Sequence, residues 1–125
     1  MTSHNLNDGI KESIARSLLL ETEKLEDYYE FFTFEKYTIG QNIINQEIKN
    51  NRIYILLKGQ LRIRASLSIY NLISIEVVEG NRIFGLLNEK LENKIEHCTA
   101  SSEVEIVSIS SKDFKLIRKK FDKLD

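Results

Sequence analysis

The sequence predicts a mainly β chain, an antiparallel barrel with a helical segment at each end. Three observations predict it. Apolar residues recur with a period of two over most of the stretch from Phe32 to Ile109. Turn residues (Gly40, Lys58-Gly59, the stretch Ser66 to Asn71, Gly80-Asn81) break these runs at short, even intervals, the spacing of a sandwich or barrel and not of βαβ units. The two ends carry the 3.6-residue period instead.

Asn7 and Asp8 supply capping side chains ahead of Ile10, Ile14 and Leu18, which stand at i, i+4 and i+8, with Ala15 and Leu19 one step round. Leu25, Tyr28, Tyr29 and Phe32, at i, i+3, i+4 and i+7, predict a second helical stretch. Phe32 and Phe34 then alternate with Thr33 and Glu35, and Tyr37 and Ile39 extend the run. The continuous apolar run Ile53 to Leu57 suits a strand covered on both faces. Leu61, Ile63 and Ala65 alternate with Arg62 and Arg64, so the arginines are expected to face outward. Ile73, Ile75 and Val77 alternate with Ser74 and Glu76. Val104 and Ile106 alternate with Glu103 and Glu105, after which Val107 and Ile109 shift the phase and predict a bulge or a change of face. Strands are therefore expected near 32–38, 52–57, 61–66, 72–78 and 104–109. A closing helix starts near Ser111, capped by Ser110 or Ser111, with Phe114, Ile117 and Phe121 on one face. The expected division is a helical segment over 1–31, the barrel over 32–110 and the last helix over 111–125, all within one domain.

Composition narrows the function. A chain of 125 residues can remove roughly two-thirds of its unfolded surface from water and has no room for a second domain of ordinary size. The 18 Lys+Arg against 19 Asp+Glu leave a net charge of −1, without the electrostatic footprint of a dedicated nucleic-acid or membrane-surface binder. The single cysteine, Cys98, fits a reducing compartment. The N-terminal residues are charged where a secretory signal would be apolar, and no apolar run approaches a membrane span, so a cytoplasmic protein is expected. Two histidines, His4 and His97, cannot supply a Ser/His/Asp arrangement or a converging metal site. His97 and Cys98 are neighbours that a strand would turn to opposite faces, so Cys98 is read as packed inward. The basic residues Lys112, Lys115, Arg118, Lys119 and Lys120 read as a solvated helix face, favoured by the helix C-terminus. No catalysis, metal or cofactor is expected.

The order of motifs adds a resemblance. Tyr37-Thr-Ile-Gly40-Gln-Asn-Ile43-Ile44 is followed by Ile53-Tyr54-Ile55-Leu56-Leu57-Lys58-Gly59-Gln-Leu61, by Val78-Glu-Gly80-Asn81-Arg-Ile83-Phe84-Gly85, and by Ala100-Ser-Ser102-Glu103-Val104-Glu-Ile106 and Phe114. This resembles the cyclic nucleotide-binding domain family over about residues 18 to 121, and Gly40, Gly59, Gly80 and Gly85 land on its turn positions. The resemblance implies a β jelly-roll barrel flanked by helices. Glu47 stands where the family usually has a further glycine.

The resemblance also places a ligand pocket, on Phe84, Gly85, Leu86 and Leu87 and on Lys94, Ile95, Glu96 and His97, and there the chain departs from the pattern. In the family, a glutamate after Phe-Gly holds the ribose hydroxyls; here that residue is Leu86. An arginine and two small residues clasp the cyclic phosphate; counting back from Ala100, these become Lys94, Ile95 and Glu96, with His97 at the next, hydroxyl position. Lysine keeps the charge but not the bidentate fork, and Glu96 adds a negative charge. The pocket is read as degenerate, with cyclic AMP and cyclic GMP not expected to bind usefully; any small-molecule site should lie between 84–87 and 94–97 and suit an anion.

The segment from Leu86 to Ser102 resembles divergent sensor domains at the front of bacterial peptidase-containing ABC exporters, and divergent regulators of the CRP/FNR type. The expected function is a non-catalytic regulatory or sensor module that controls a partner or an attached domain. The alternative is the ligand-sensing effector half of a CRP/FNR-type transcription regulator. The expected partners are a small anionic ligand and another protein, or a second copy of the chain, through the helices.

Overall fold

The computed structural model describes residues 6–45, 52–66, 73–84 and 94–121. Helix α1 (Asp8–Ser17) is capped by Asn7, whose side-chain oxygen accepts the Ile10 amide at 2.8 Å, and it buries Ile14 and Ala15. Two reverse bonds close its far end: Leu20 N–H donates to the Ala15 carbonyl at 2.9 Å and Leu19 N–H to the Arg16 carbonyl at 3.1 Å. That is a Schellman closure, whose left-handed residue is usually glycine. Here it is Leu19, with φ 60° and its side chain 90% exposed. The strain is offset by no packing. Leu19→Gly is therefore expected to raise stability by about 1 kcal/mol. A urea midpoint that is unchanged or lower in the variant would contradict this.

Residues 22–31 form two 3₁₀ turns, Thr22–Leu25 and Tyr29–Phe31, in place of the expected second helix. Leu25, Tyr29 and Phe32 are buried at helical spacing, but the backbone closes through shorter steps: Tyr28 N–H to the Leu25 carbonyl and Phe31 N–H to the Tyr28 carbonyl. The Tyr29 hydroxyl donates to the Thr22 carbonyl at 2.8 Å, tying the two turns together.

Eight strands follow: β1 (Thr33–Tyr37), β2 (Asn42–Asn45), β3 (Arg52–Lys58), β4 (Gln60–Ser66), β5 (Ile73–Glu79), β6 (Arg82–Phe84), β7 (Lys94–Ala100) and β8 (Val104–Ser110). Helix α2 (Ser111–Phe121) closes the chain, its Asp113 amide donating to Ser110 Oγ at 3.0 Å. All pairings are antiparallel, in two four-stranded sheets ordered β1-β8-β3-β6 and β2-β7-β4-β5. The result is a jelly-roll-like sandwich. Among the described residues no ladder joins the two sheets, so the barrel expected from the sequence is not closed. At the corners after β3, β5 and β7 the chain crosses to the other sheet and does not extend a ladder, which leaves each sheet with open edges.

The core has two layers. Between the sheets lie Ile44, Tyr54, Leu56, Leu61, Ile63, Val78, Phe84, Cys98, Ala100, Val104 and Ile106. Between the first sheet and the helical elements lie Ile14, Leu25, Tyr29, Phe32, Ile53, Ile55, Val107, Ile109, Phe114 and Ile117. The first sheet is thus covered on both faces. Of the two readings for Val107 and Ile109, a bulge or a change of face, the second holds: they lie on the other face of β8, under the helices, while its register on β1 runs unbroken from Thr33↔Ser108 to Tyr37↔Val104. The irregularity sits on β3, where Leu56 to Lys58 spans two residues against one on β8. Phe34 and Tyr37 likewise pack against opposite layers, and Ile39 lies past the strand, 71% exposed. The outer face of the second sheet is solvated: Arg62 and Arg64 are exposed as expected. Val77 is 51% exposed and Val78 buried, the reverse of the expected phase, because Val78 pairs with the inward Leu61.

Candidate functional site

Only part of the pocket implied by the resemblance falls within the described residues. Gly85, Leu86 and Leu87 lie outside them, as does Glu47. Phe84 ends β6 on the first sheet, buried in the inner layer and stacked on Tyr54, its register partner on β3, with ring centroids 5.0 Å apart and planes 14° from parallel.

Lys94, Ile95, Glu96 and His97 begin β7 on the second sheet. Their backbone is held between two neighbours: Lys94 pairs with Ser66, Ile95 with Ala65, and His97 with both Arg64 and Asn45. The register steps two residues on β7, across Glu96, for one on β4, so a β-bulge sits inside this segment. Phe84 and Cys98 meet in the inner layer, and the strand that delivers Cys98 is the one that starts with Lys94.

Cys98 is fully buried, and burial pushes its thiol from 9 up to about 12. It is a neutral core side chain near neutral pH, without the thiolate a nucleophile needs. Beside it the inner face of the first sheet carries a polar strip that sequence reasoning missed. The Tyr37 hydroxyl donates to Glu35 Oε1 at 2.8 Å. Arg52 Nε donates to Ser108 Oγ at 3.0 Å, and Ser108 is the one buried polar residue among those described. Desolvation, then the bond to Glu35, raises the Tyr37 hydroxyl well above its ordinary range; desolvation, then the Glu35 charge, raises Tyr54. A signal was available: Glu35 and Ser108 are polar residues embedded in strands whose two faces are both covered. The described residues hold no group of three or more His, Cys, Asp or Glu side chains able to bind a metal.

No family model matches the chain, and no curated protein does. Solved structures match it along nearly its whole length. The regulatory domain of Toxoplasma gondii PKA with cAMP aligns over 92% of this chain with a TM-score of 0.72 at 18% identity. A cyclic nucleotide-binding domain from Methylobacillus flagellatus aligns over 94% of this chain and 70% of its own, TM-score 0.71 at 12% identity. The heme domain of CooA from Carboxydothermus hydrogenoformans aligns over 93% of this chain and 77% of its own, TM-score 0.63 at 14% identity. The chain spans about half the length of the PKA structure, 47%. It has the cyclic nucleotide-binding domain fold.

Proposed function

We propose that this chain is a divergent member of the cyclic nucleotide-binding domain family, a non-catalytic regulatory module whose nucleotide pocket has degenerated and which acts by controlling a partner or an attached domain. One combination carries the reading: the fold of regulatory cyclic nucleotide-binding domains, over more than nine-tenths of the chain, together with Leu86 in place of the ribose-binding glutamate. A hydrogen bond to a charged group contributes roughly 1.5–3 kcal/mol. Losing that carboxylate, and one arm of a bidentate cation at Lys94, removes on the order of 3–6 kcal/mol, which takes a micromolar site to about millimolar or weaker. Isothermal titration with cyclic AMP and cyclic GMP at neutral pH and low salt is expected to show no binding tighter than about 50 micromolar. Tighter binding of either nucleotide overturns the degenerate pocket. The triple variant Leu86→Glu, Lys94→Arg, Glu96→Ala is expected to gain affinity; no gain would mean the pocket is not at these residues.

Attachment to an ABC exporter is one form the controlled domain would take. A second form is the effector half of a CRP/FNR-type transcription regulator. The coding sequence after Asp125 separates them, by a peptidase-transporter or a helix-turn-helix. A cytoplasmic location is part of this reading; among the described residues no helix is long and apolar enough to cross a membrane.

A further inference from the structure

The described residues line an open cleft that lies away from the jelly-roll interior, between the first turn of α1 and the outer face of the first sheet. Its volume is about 400 Å³. Small-molecule sites run from roughly 300 to 1,000 Å³ and combine an apolar body with a few polar groups. This cleft has both. Ile10, Phe34 and Leu57 supply an apolar wall, and Lys36, Lys58 and Glu105 a charged one.

The charges are arranged by strand register. Glu105 on β8 pairs with Lys36 on β1 at one side and with Lys58 on β3 at the other, so the register sets the three charged residues side by side on one face of the sheet. The row carries a net charge of +1. Gly9 and Ile10 of α1 line the same space, but the Ile10 amide donates to Asn7 Oδ1 and Asp8 stands in the first turn, so the attraction for an anion rests on the lysines.

We propose that this cleft binds a small organic monoanion with an apolar body, its carboxylate between Lys36 and Lys58 and its body against Phe34, Leu57 and Ile10. The site lies apart from residues 84–87 and 94–97, where the sequence places any small-molecule site, so it departs from that expectation and does not depend on the nucleotide pocket or its degeneration. The probes are benzoate and hexanoate, with benzamide as the uncharged counterpart of benzoate, titrated into the isotope-labelled chain and followed by backbone amide shifts. Benzoate is expected to move the amides of Ser13, Leu57 and Glu105 with a dissociation constant in the millimolar range or tighter. The double variant Lys36→Gln, Lys58→Gln is expected to bind on the order of tenfold more weakly, and Glu105→Gln several-fold more tightly, the opposite sign. Lys36 and Lys58 are exposed and Glu105 is half-buried, and none of the three belongs to either core layer. The proposal fails if these amides do not move at about 10 mM benzoate, if benzamide moves them equally, if the double lysine variant binds like the parent, or if Glu105→Gln weakens binding.

Discussion

Gly59→Ala is expected to destabilise the chain by about 3 kcal/mol or more, and Gly40→Ala by only about 1–2. Both glycines sit in the left-handed region, at φ 100° and φ 89°, so both substitutions incur the same backbone penalty. They differ in what a Cβ meets. At Gly40 nothing lies within 4 Å. At Gly59 the new atom would overlap the Glu103 carbonyl oxygen, with Ser102 Oγ and Val104 Cγ2 both at 3.0 Å. None of these can yield cheaply. The Ser102 hydroxyl oxygen accepts the Gln60 amide at 3.0 Å, and Val104 is buried in the inner layer and pairs with Tyr37. The corner between β3 and β4 is thus packed directly on the corner between β7 and β8, and the missing side chain is what lets them touch. Urea unfolding of the two variants side by side is the measurement. Equal losses would show that backbone strain alone requires glycine at position 59.

The sequence made some of this legible for definite physical reasons. On the solvated sheet, one face is wet and one dry, and Leu61, Arg62, Ile63 and Arg64 therefore announce their own orientation. The continuous run Ile53–Leu57 announces the opposite case, since only a strand dry on both faces keeps five apolar residues in a row. The same rule, applied to Val107 and Ile109, explains why apolar residues occupy both phases of β8. Three strands were missed, and each has its cause. β2 and β6 have four and three residues, too short to establish a period. β2 also carries a register shift between Asn42 and Ile44. β7 turns the small Cys98 and Ala100 inward where a strand signal relies on Val, Ile or Leu, and its bulge at Glu96 breaks the alternation. The candidate site was legible only through motif order: Leu86 and Lys94 acquire meaning from their distance to the Phe-Gly and Ala100 landmarks, which no local period supplies. The cleft under α1 left no trace in the sequence, because it is assembled from four elements, α1, β1, β3 and β8, that only tertiary pairing brings together.

Phe84→Ala is expected to cost about 3–5 kcal/mol, the range for emptying a buried aromatic site. Phe84 is 5% exposed and lies in the inner layer with Leu56, Ile44 and Cys98. Its ring covers Tyr54, and such pairs add roughly 0.5–1.5 kcal/mol beyond area burial. The position also has little support to spare. β6 is a three-residue edge strand held by β3 alone, through Tyr54↔Phe84, Ile55↔Ile83 and Leu56↔Arg82. Removing the ring therefore loosens the strand that leads into Gly85 and Leu86. Phe84→Leu refills most of the volume and is expected to lose less than half as much. The two variants separate the roles open to this residue. A core side chain gives a large loss for alanine that leucine largely restores. A residue kept for a ligand gives little loss of stability in either variant, so an alanine cost below about 1 kcal/mol in urea unfolding would remove Phe84 from the core and return it to the pocket.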